Sequence, residues 1–155
     1  MTNPVDLATL KKLHRPGSRL LGIDPGTKTL GLALSDGSLL VATPWRTIRR
    51  KKFAADAAEL AVIVQSHDVS GLVIGLPLNM DGSEGPRAQS VRAFIRNLAG
   101  KLDLPVALWD ERLTSVAAER ALLEADLSRK KRGERIDAVA ASLILQGALD
   151  RMRSL

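Results

Sequence analysis

The chain has 155 residues, 45% hydrophobic and 26% charged, with no cysteine, two histidines and a formal net charge of +6. That length suits one domain with a real core, and the lack of cysteine excludes disulfides, thiolate nucleophiles and zinc–sulfur sites and fits a reducing compartment. With only His14 and His67 available, a bound metal would be held by oxygen, which favours Mg²⁺ or Mn²⁺.

Residues 1–18 read as a loosely ordered basic arm, with a short helical turn around 7–13 and no apolar segment of signal-peptide type. Residues 19–24 read as a buried strand and 29–35 as a second, with Gly26 supplying the turn between them. A third strand falls within 38–48, interrupted near Pro44, and the short connections predict an antiparallel meander. Phe53, Ala57, Leu60, Ala61 and Val64 recur at one-face helical spacing, and His67-Asp68 ends that helix. Residues 71–75 form a short apolar strand, followed by a polar, Gly-containing loop over 76–85. Pro86 suits the first position of a helix whose apolar face is Val91, Ile95, Leu98 and Leu102. Residues 105–110 form another buried strand. Thr114 is a candidate N-cap for a helix reaching about Ala125. Residues 128–134 read as a charged loop, and a last helix starts near Arg135 with Ile136, Val139, Ala140, Leu143, Ile144 and Gly147 on its buried side. The order is that of an α/β domain spanning 19–155, in which the strands separated by helices run parallel.

No apolar run approaches the roughly 20 residues that cross a bilayer, so the expectation is a cytoplasmic protein with no membrane contact. The positive charge favours a polyanionic partner. It is clustered: Arg46, Arg49, Arg50, Lys51 and Lys52 fall together, as do Arg129, Lys130, Lys131, Arg132 and Arg135. Aromatic residues are scarce, and base stacking needs exposed ones, so the pattern suits a reader of nucleic-acid backbone and shape.

Ligands of parallel α/β sheets gather beyond the carboxyl ends of the strands. Asp24, the segment Gly75-Leu76-Pro77 and the segment Asp110-Glu111-Arg112 close the three parallel strands and therefore share one rim. An acid at the mouth of a buried strand costs free energy unless a cation or hydrogen-bond donors offset it. Asp137 is placed in the first turn of the last helix, where an acid favours the helix dipole by about 0.3–1 kcal/mol. A packed helix could equally deliver it to the same rim. Asp24, Glu111 and Asp137 meeting there would suggest a divalent-metal site. Asp110 points away from Glu111 if the strand persists, and reads as structural.

These segments resemble the YqgF/RuvX family of Holliday junction resolvases, also described as pre-16S rRNA nucleases. The resemblance is carried by Leu21-Gly22-Ile23-Asp24-Pro25-Gly26, by the run from Gly75 to Gly85, by Asp110-Glu111-Arg112-Leu113-Thr114-Ser115 and by Ile136-Asp137-Ala138-Val139-Ala140-Ala141. It implies an RNase H-like fold: a mixed five-stranded sheet, an antiparallel meander plus parallel strands, with helices on both faces. It implies that Asp24, Glu111 and Asp137 are catalytic acids that hold Mg²⁺ or Mn²⁺, two ions at the full site. Thr29 stands where the family usually has an arginine, which would remove one phosphate contact.

The expected activity is therefore hydrolysis of nucleic-acid phosphodiesters, with maturation of the 5′ end of pre-16S rRNA as the first reading. Resolution of branched DNA junctions and non-catalytic nucleic-acid binding are the alternatives. Lys28, Asn79, Arg87, Arg112, Arg49 and Arg50 are the candidate substrate contacts, on structured RNA or branched DNA, by a monomer or a homodimer. The segment Asp24-Pro25-Gly26-Thr27 also resembles the phosphate loop of actin and Hsp70 type ATPases, but those need two such domains and 155 residues hold one.

Overall fold

A computed structural model describes residues 3–114 and 129–155. Seven strands and helices of the central body follow the expected order: β1 (Arg19–Pro25), β2 (Thr29–Ser35), β3 (Ala42–Arg49), α2 (Phe53–Ser66), β4 (Val69–Leu76), α3 (Pro86–Ala99) and β5 (Val106–Asp110). A helix α1 (Leu7–Leu13) precedes them, and a 3₁₀ turn (Glu111–Leu113) and the long helix α4 (Arg129–Arg153) follow. The helix expected from Thr114 to about Ala125 lies outside the described residues. Thr114 itself closes the 3₁₀ turn in extended conformation.

The five strands form one sheet in the order β3-β2-β1-β4-β5. β1 pairs antiparallel with β2 and β2 with β3, while β1–β4 and β4–β5 are parallel. This is the mixed sheet expected from the sequence. β1, β2 and β4 are almost wholly buried, as a sheet covered on both faces requires. One apolar core joins Leu21, Ile23, Leu32, Leu72 and Ile74 to α2 and α3. The other joins Leu20, Ala33, Val73 and Ala107 to α4.

The interruption foreseen near Pro44 is a β-bulge. Leu32 pairs with Arg46 and Ala33 with Pro44, so Trp45 is the extra residue on β3. Proline cannot donate to the ladder and is tolerated on edge strands and at bulges, and β3 is the sheet edge.

Two expectations are corrected. The described part of the first segment, residues 3–18, is not a loose arm. Asp6 caps α1 by accepting from the Thr9 amide at 2.8 Å, Leu10 is fully buried, and the Val5 N–H donates to the Val106 carbonyl at 2.8 Å, bridging to β5 beside Ala107. Leu10 is an apolar residue in a basic segment, and its burial against Leu20 and Gly71 docks the segment on the core. The second correction concerns the charged stretch before Arg135. Residues from Arg129 onward are already helical, because Lys and Arg are good helix formers and a run of them need not be a loop. Asp137 therefore lies beyond the first turn of α4, outside the reach of the helix-dipole explanation.

Among the described residues no helix is long and apolar enough to cross a membrane. Leu10→Ala should lower unfolding stability by about 2–5 kcal/mol, the range for emptying a buried leucine site. Urea unfolding measures it, and a loosely attached arm would leave the midpoint unchanged.

Candidate active site

Alternation along the strands decides which face each acid takes. Asp24 pairs with Gly31, and a Cβ at Gly31 would collide with the Asp137 carbonyl oxygen on α4. Gly22, two residues before Asp24, faces Leu145 and Ala141 of the same helix. Asp24 thus projects to the α4 face at the carboxyl end of β1, where it is 3% exposed.

Glu111 reaches that face from the other side. Ile23 pairs with Ile74, so Asp24 stands beside Gly75. A Cβ at Gly75 would lie 2.6 Å from Glu111 Oε1 and 2.5 Å from Ile144 Cδ1. The missing side chain is the space that the Glu111 carboxylate occupies. Asp137 sits over Gly31 on β2, Asp24 on β1 and Glu111 over Gly75 on β4. Adjacent strands are about 4.8 Å apart, so the three acids form a row across roughly 10 Å of one rim.

Asp137 is half-buried and its Oδ2 accepts a hydrogen bond from Thr29 Oγ1 at 2.5 Å. Thr29, noted for replacing an arginine, has a partner that the sequence did not disclose. Its carbonyl also accepts the Gly26 N–H at 2.8 Å, closing the turn that follows Asp24. Among the described residues no three acidic or histidine side chains are grouped closely enough to enclose an ion as they stand. The donor set nevertheless fits a hard divalent cation in kind: three carboxylates, all oxygen, on one face of three neighbouring strands.

The basic residues divide. Arg50 donates to the Gly26 carbonyl at 2.6 Å and stacks over Phe94 with its guanidinium carbon 5.1 Å from the ring centre. Arg87 donates to the Pro25 carbonyl at 3.4 Å. With Lys51, Thr27 and Ser90 they line a groove of about 590 Å³ against the turn after Asp24. Arg49, pairing with Thr29, lines a second groove of about 580 Å³ with Trp45, Thr47 and Ala138, on the α4 side. Lys28 is exposed at the tip of the β1–β2 turn, and its carbonyl accepts the Arg50 N–H at 2.8 Å.

Two further candidate contacts, Arg112 and Asn79, make hydrogen bonds within the protein. Arg112 forms a fork on Asp110, Nε to Oδ1 at 3.0 Å and Nη2 to Oδ2 at 2.7 Å, and its Nη1 donates to the Met80 carbonyl at 3.1 Å. It therefore straps the loop after β4 to the end of β5. Asp110 has the structural role expected of it and caps the 3₁₀ turn by accepting from the Arg112 amide. Asn79 closes its own loop: its side chain donates to Ser83 Oγ at 3.0 Å and its N–H to the Ser83 carbonyl at 2.9 Å.

Sequence reasoning missed the roles of Gly31, Gly75 and Thr29. A glycine in a buried strand is the available signal, since it marks close approach by another backbone or side chain.

The chain is similar to known proteins in sequence and in fold. The family model described as RuvX: Holliday junction resolvase matches residues 18–151. A Ruegeria sp. protein named "Putative pre-16S rRNA nuclease" is 64% identical over 134 residues, 86% of this chain and 85% of that protein. One of the same name from Rhodobacter capsulatus is 62% identical over 143 residues, 92% of this chain and 89% of its own length. The solved Thermus thermophilus RuvC in complex with a Holliday junction substrate superposes with a TM-score of 0.54 at 15% identity, covering 88% of this chain and 97% of that one. That likeness confirms the RNase H-like sheet.

The Arg112 fork holds the Asp110 carboxyl below its ordinary value of 3.8, chiefly through the side-chain hydrogen bond. A depressed carboxylate contributes stability above the unfolded-state pKa and loses it as pH falls through the folded one. The stability difference between the parent and Asp110→Asn should therefore hold from neutrality to about pH 4 and vanish in more acidic solution, read by denaturant unfolding across pH. The family-model match over residues 18–151 and relatives above 60% identity show that the chain belongs to the RuvX family.

Proposed function

We propose that this RuvX-family protein is a metal-dependent endonuclease whose catalytic acids are Asp24, Glu111 and Asp137, and that it matures the 5′ end of pre-16S rRNA. The observation that carries the reading is the row of three acids on the α4 face of three adjacent strands, two of them seated over glycines that leave no room for any other side chain. Glycine at 75 is costly in a buried strand, and its replacement by any larger residue would displace Glu111.

Mg²⁺ or Mn²⁺ fits the all-oxygen donor set, with two ions at the full site. A divalent ion supplies, when bound, activation of a water near neutral pH and neutralisation of charge on the phosphate. Asp24 is the central ligand of the row and Glu111 and Asp137 its flanks. The protein's own contribution is placement. Asp24 is buried and fixed by the strand, Glu111 is packed over Gly75, and Asp137 is tied to Thr29.

Arg87, Arg50 and Lys51 on one side, and Arg49 on the other, hold the substrate backbone past the acids. Arg50 is fixed by Gly26 and Phe94 before substrate arrives, so little side-chain freedom remains to be lost on binding. Lys28, at the exposed turn between the two grooves, is placed to meet the same strand. The aromatic residues lining the two grooves are Trp45, which Arg46 covers at 4.8 Å, and Phe94, which Arg50 covers at 5.1 Å. Backbone recognition of a structured nucleic acid follows.

The rRNA reading rests on relatives that share over 60% identity with the chain, among them the two described above. The family description keeps resolution of branched DNA as the second reading. Depletion of the protein with mapping of 16S rRNA 5′ ends, paired with a cleavage assay on four-way junction DNA, separates them. Unprocessed 5′ ends support the first, and junction cleavage with normal ends replaces it with the second.

Asp24→Asn should abolish Mg²⁺-dependent cleavage while preserving fold and nucleic-acid binding; full activity in that variant would remove the metal mechanism. Binding should weaken steeply with salt, and Arg87→Gln should reduce the salt slope by about one. A flat salt response would exclude backbone recognition.

A further inference from the structure

Thr29 links Asp137, one flank of the acid row, to the turn that follows Asp24. Its carbonyl accepts the N–H of Gly26, two residues beyond Asp24, at 2.8 Å. Its hydroxyl donates to Asp137 Oδ2 at 2.5 Å. The sheet fixes Thr29 in turn, since it begins β2 and pairs with Arg49 on β3. The Asp137 carboxylate thus does not move with α4 alone. It is tied to the same hairpin that carries Asp24.

The contact is suited to an ion ligand. A carboxylate has about four lone-pair sites, and one hydroxyl uses one of them. A neutral donor also leaves the negative charge of Asp137 in place, whereas a cationic partner would compete with a metal. Carboxylates that ligate ions are commonly held by a hydrogen bond from beyond the ligand set, which fixes their orientation.

We propose that Thr29 is a positioning residue that orients the Asp137 carboxylate and so sets the divalent-ion affinity of the site. This rests on the metal-dependent reading above and deepens it. Asp137 is anchored at two points of β2: its backbone lies against Gly31 and its carboxylate against Thr29. Loss of the hydroxyl leaves the first anchor and removes the second, so the helix stays docked while the carboxylate becomes free to rotate.

The test is Mn²⁺ binding to the full-length protein without nucleic acid, by calorimetry or by the spin-resonance signal of free Mn²⁺. Thr29→Val keeps the shape and removes the donor; Thr29→Ser keeps the donor. Thermal melting of both confirms that each is folded at the assay temperature. The expected result is Mn²⁺ affinity weakened about 10–100-fold in Thr29→Val and close to the parent's in Thr29→Ser, with metal-free nucleic-acid binding unchanged in both. Affinity in Thr29→Val equal to or tighter than the parent's overturns the proposal, as does equal loss in both variants. If the parent binds no Mn²⁺, or if Asp24→Asn binds it as well as the parent, the underlying metal reading fails, and that is distinguishable because Thr29 then plays no part in the difference.

Discussion

The close approach of α4 to the sheet is the constraint on which the site depends. Gly22, Gly31 and Gly75 face this helix from β1, β2 and β4, and a Cβ at any of them would meet α4 atoms at 2.8 Å or less. On the helix side Asp137, Ala141 and Leu145 recur every four residues along the contact, so one stripe presses on the glycines. The helix carries alanines at 138, 140, 141 and 148, all buried. Small residues on both surfaces let a helix lie nearer a sheet than branched side chains allow, and that nearness brings the Asp137 carboxylate down to Thr29.

An acid stands at the end of a buried strand beside this packing. Asp24 is almost inaccessible, and burying a charge is costly unless it is compensated. The rim gathers cations close by on both sides of the sheet. Arg50 and Arg87 hold the carbonyls of Pro25 and Gly26 immediately after Asp24. The carbonyls position the guanidinium groups, and the guanidinium groups line the groove that substrate would enter. Structure and binding are served by the same two side chains.

A run of basic residues that looks like one patch in the sequence is divided by strand geometry. Arg49 lies on the α4 face with Thr47 and Thr29, while Arg46 turns the other way toward Glu59 on α2 at 3.9 Å. Arg50 follows β3 and packs on Phe94 of α3. Period-two alternation, together with the extra residue at Trp45, decides which of these cations stand beside the acids. Arg112 flanks a catalytic candidate in sequence, and its fork on Asp110 ties the loop after β4 to the end of β5.

The sequence by itself determined the strand and helix order, the meander followed by parallel strands, and the placing of Asp24 and Glu111 at the carboxyl rim. These follow from apolar periodicity, turn residues and the rule that parallel-strand ends gather ligands, all local or topological properties. It did not determine that residues 3–14 dock on the core, because one buried leucine in a basic stretch has no periodic signature. Nor did it disclose the start of α4, where charged residues are compatible with helix and loop alike. The pairing of Thr29 with Asp137, 108 residues apart, and the seating of Glu111 over Gly75 were decided only by tertiary structure. Both depend on how closely one helix and one turn approach the sheet, a distance set by side chains absent from glycines on strands that meet only after folding.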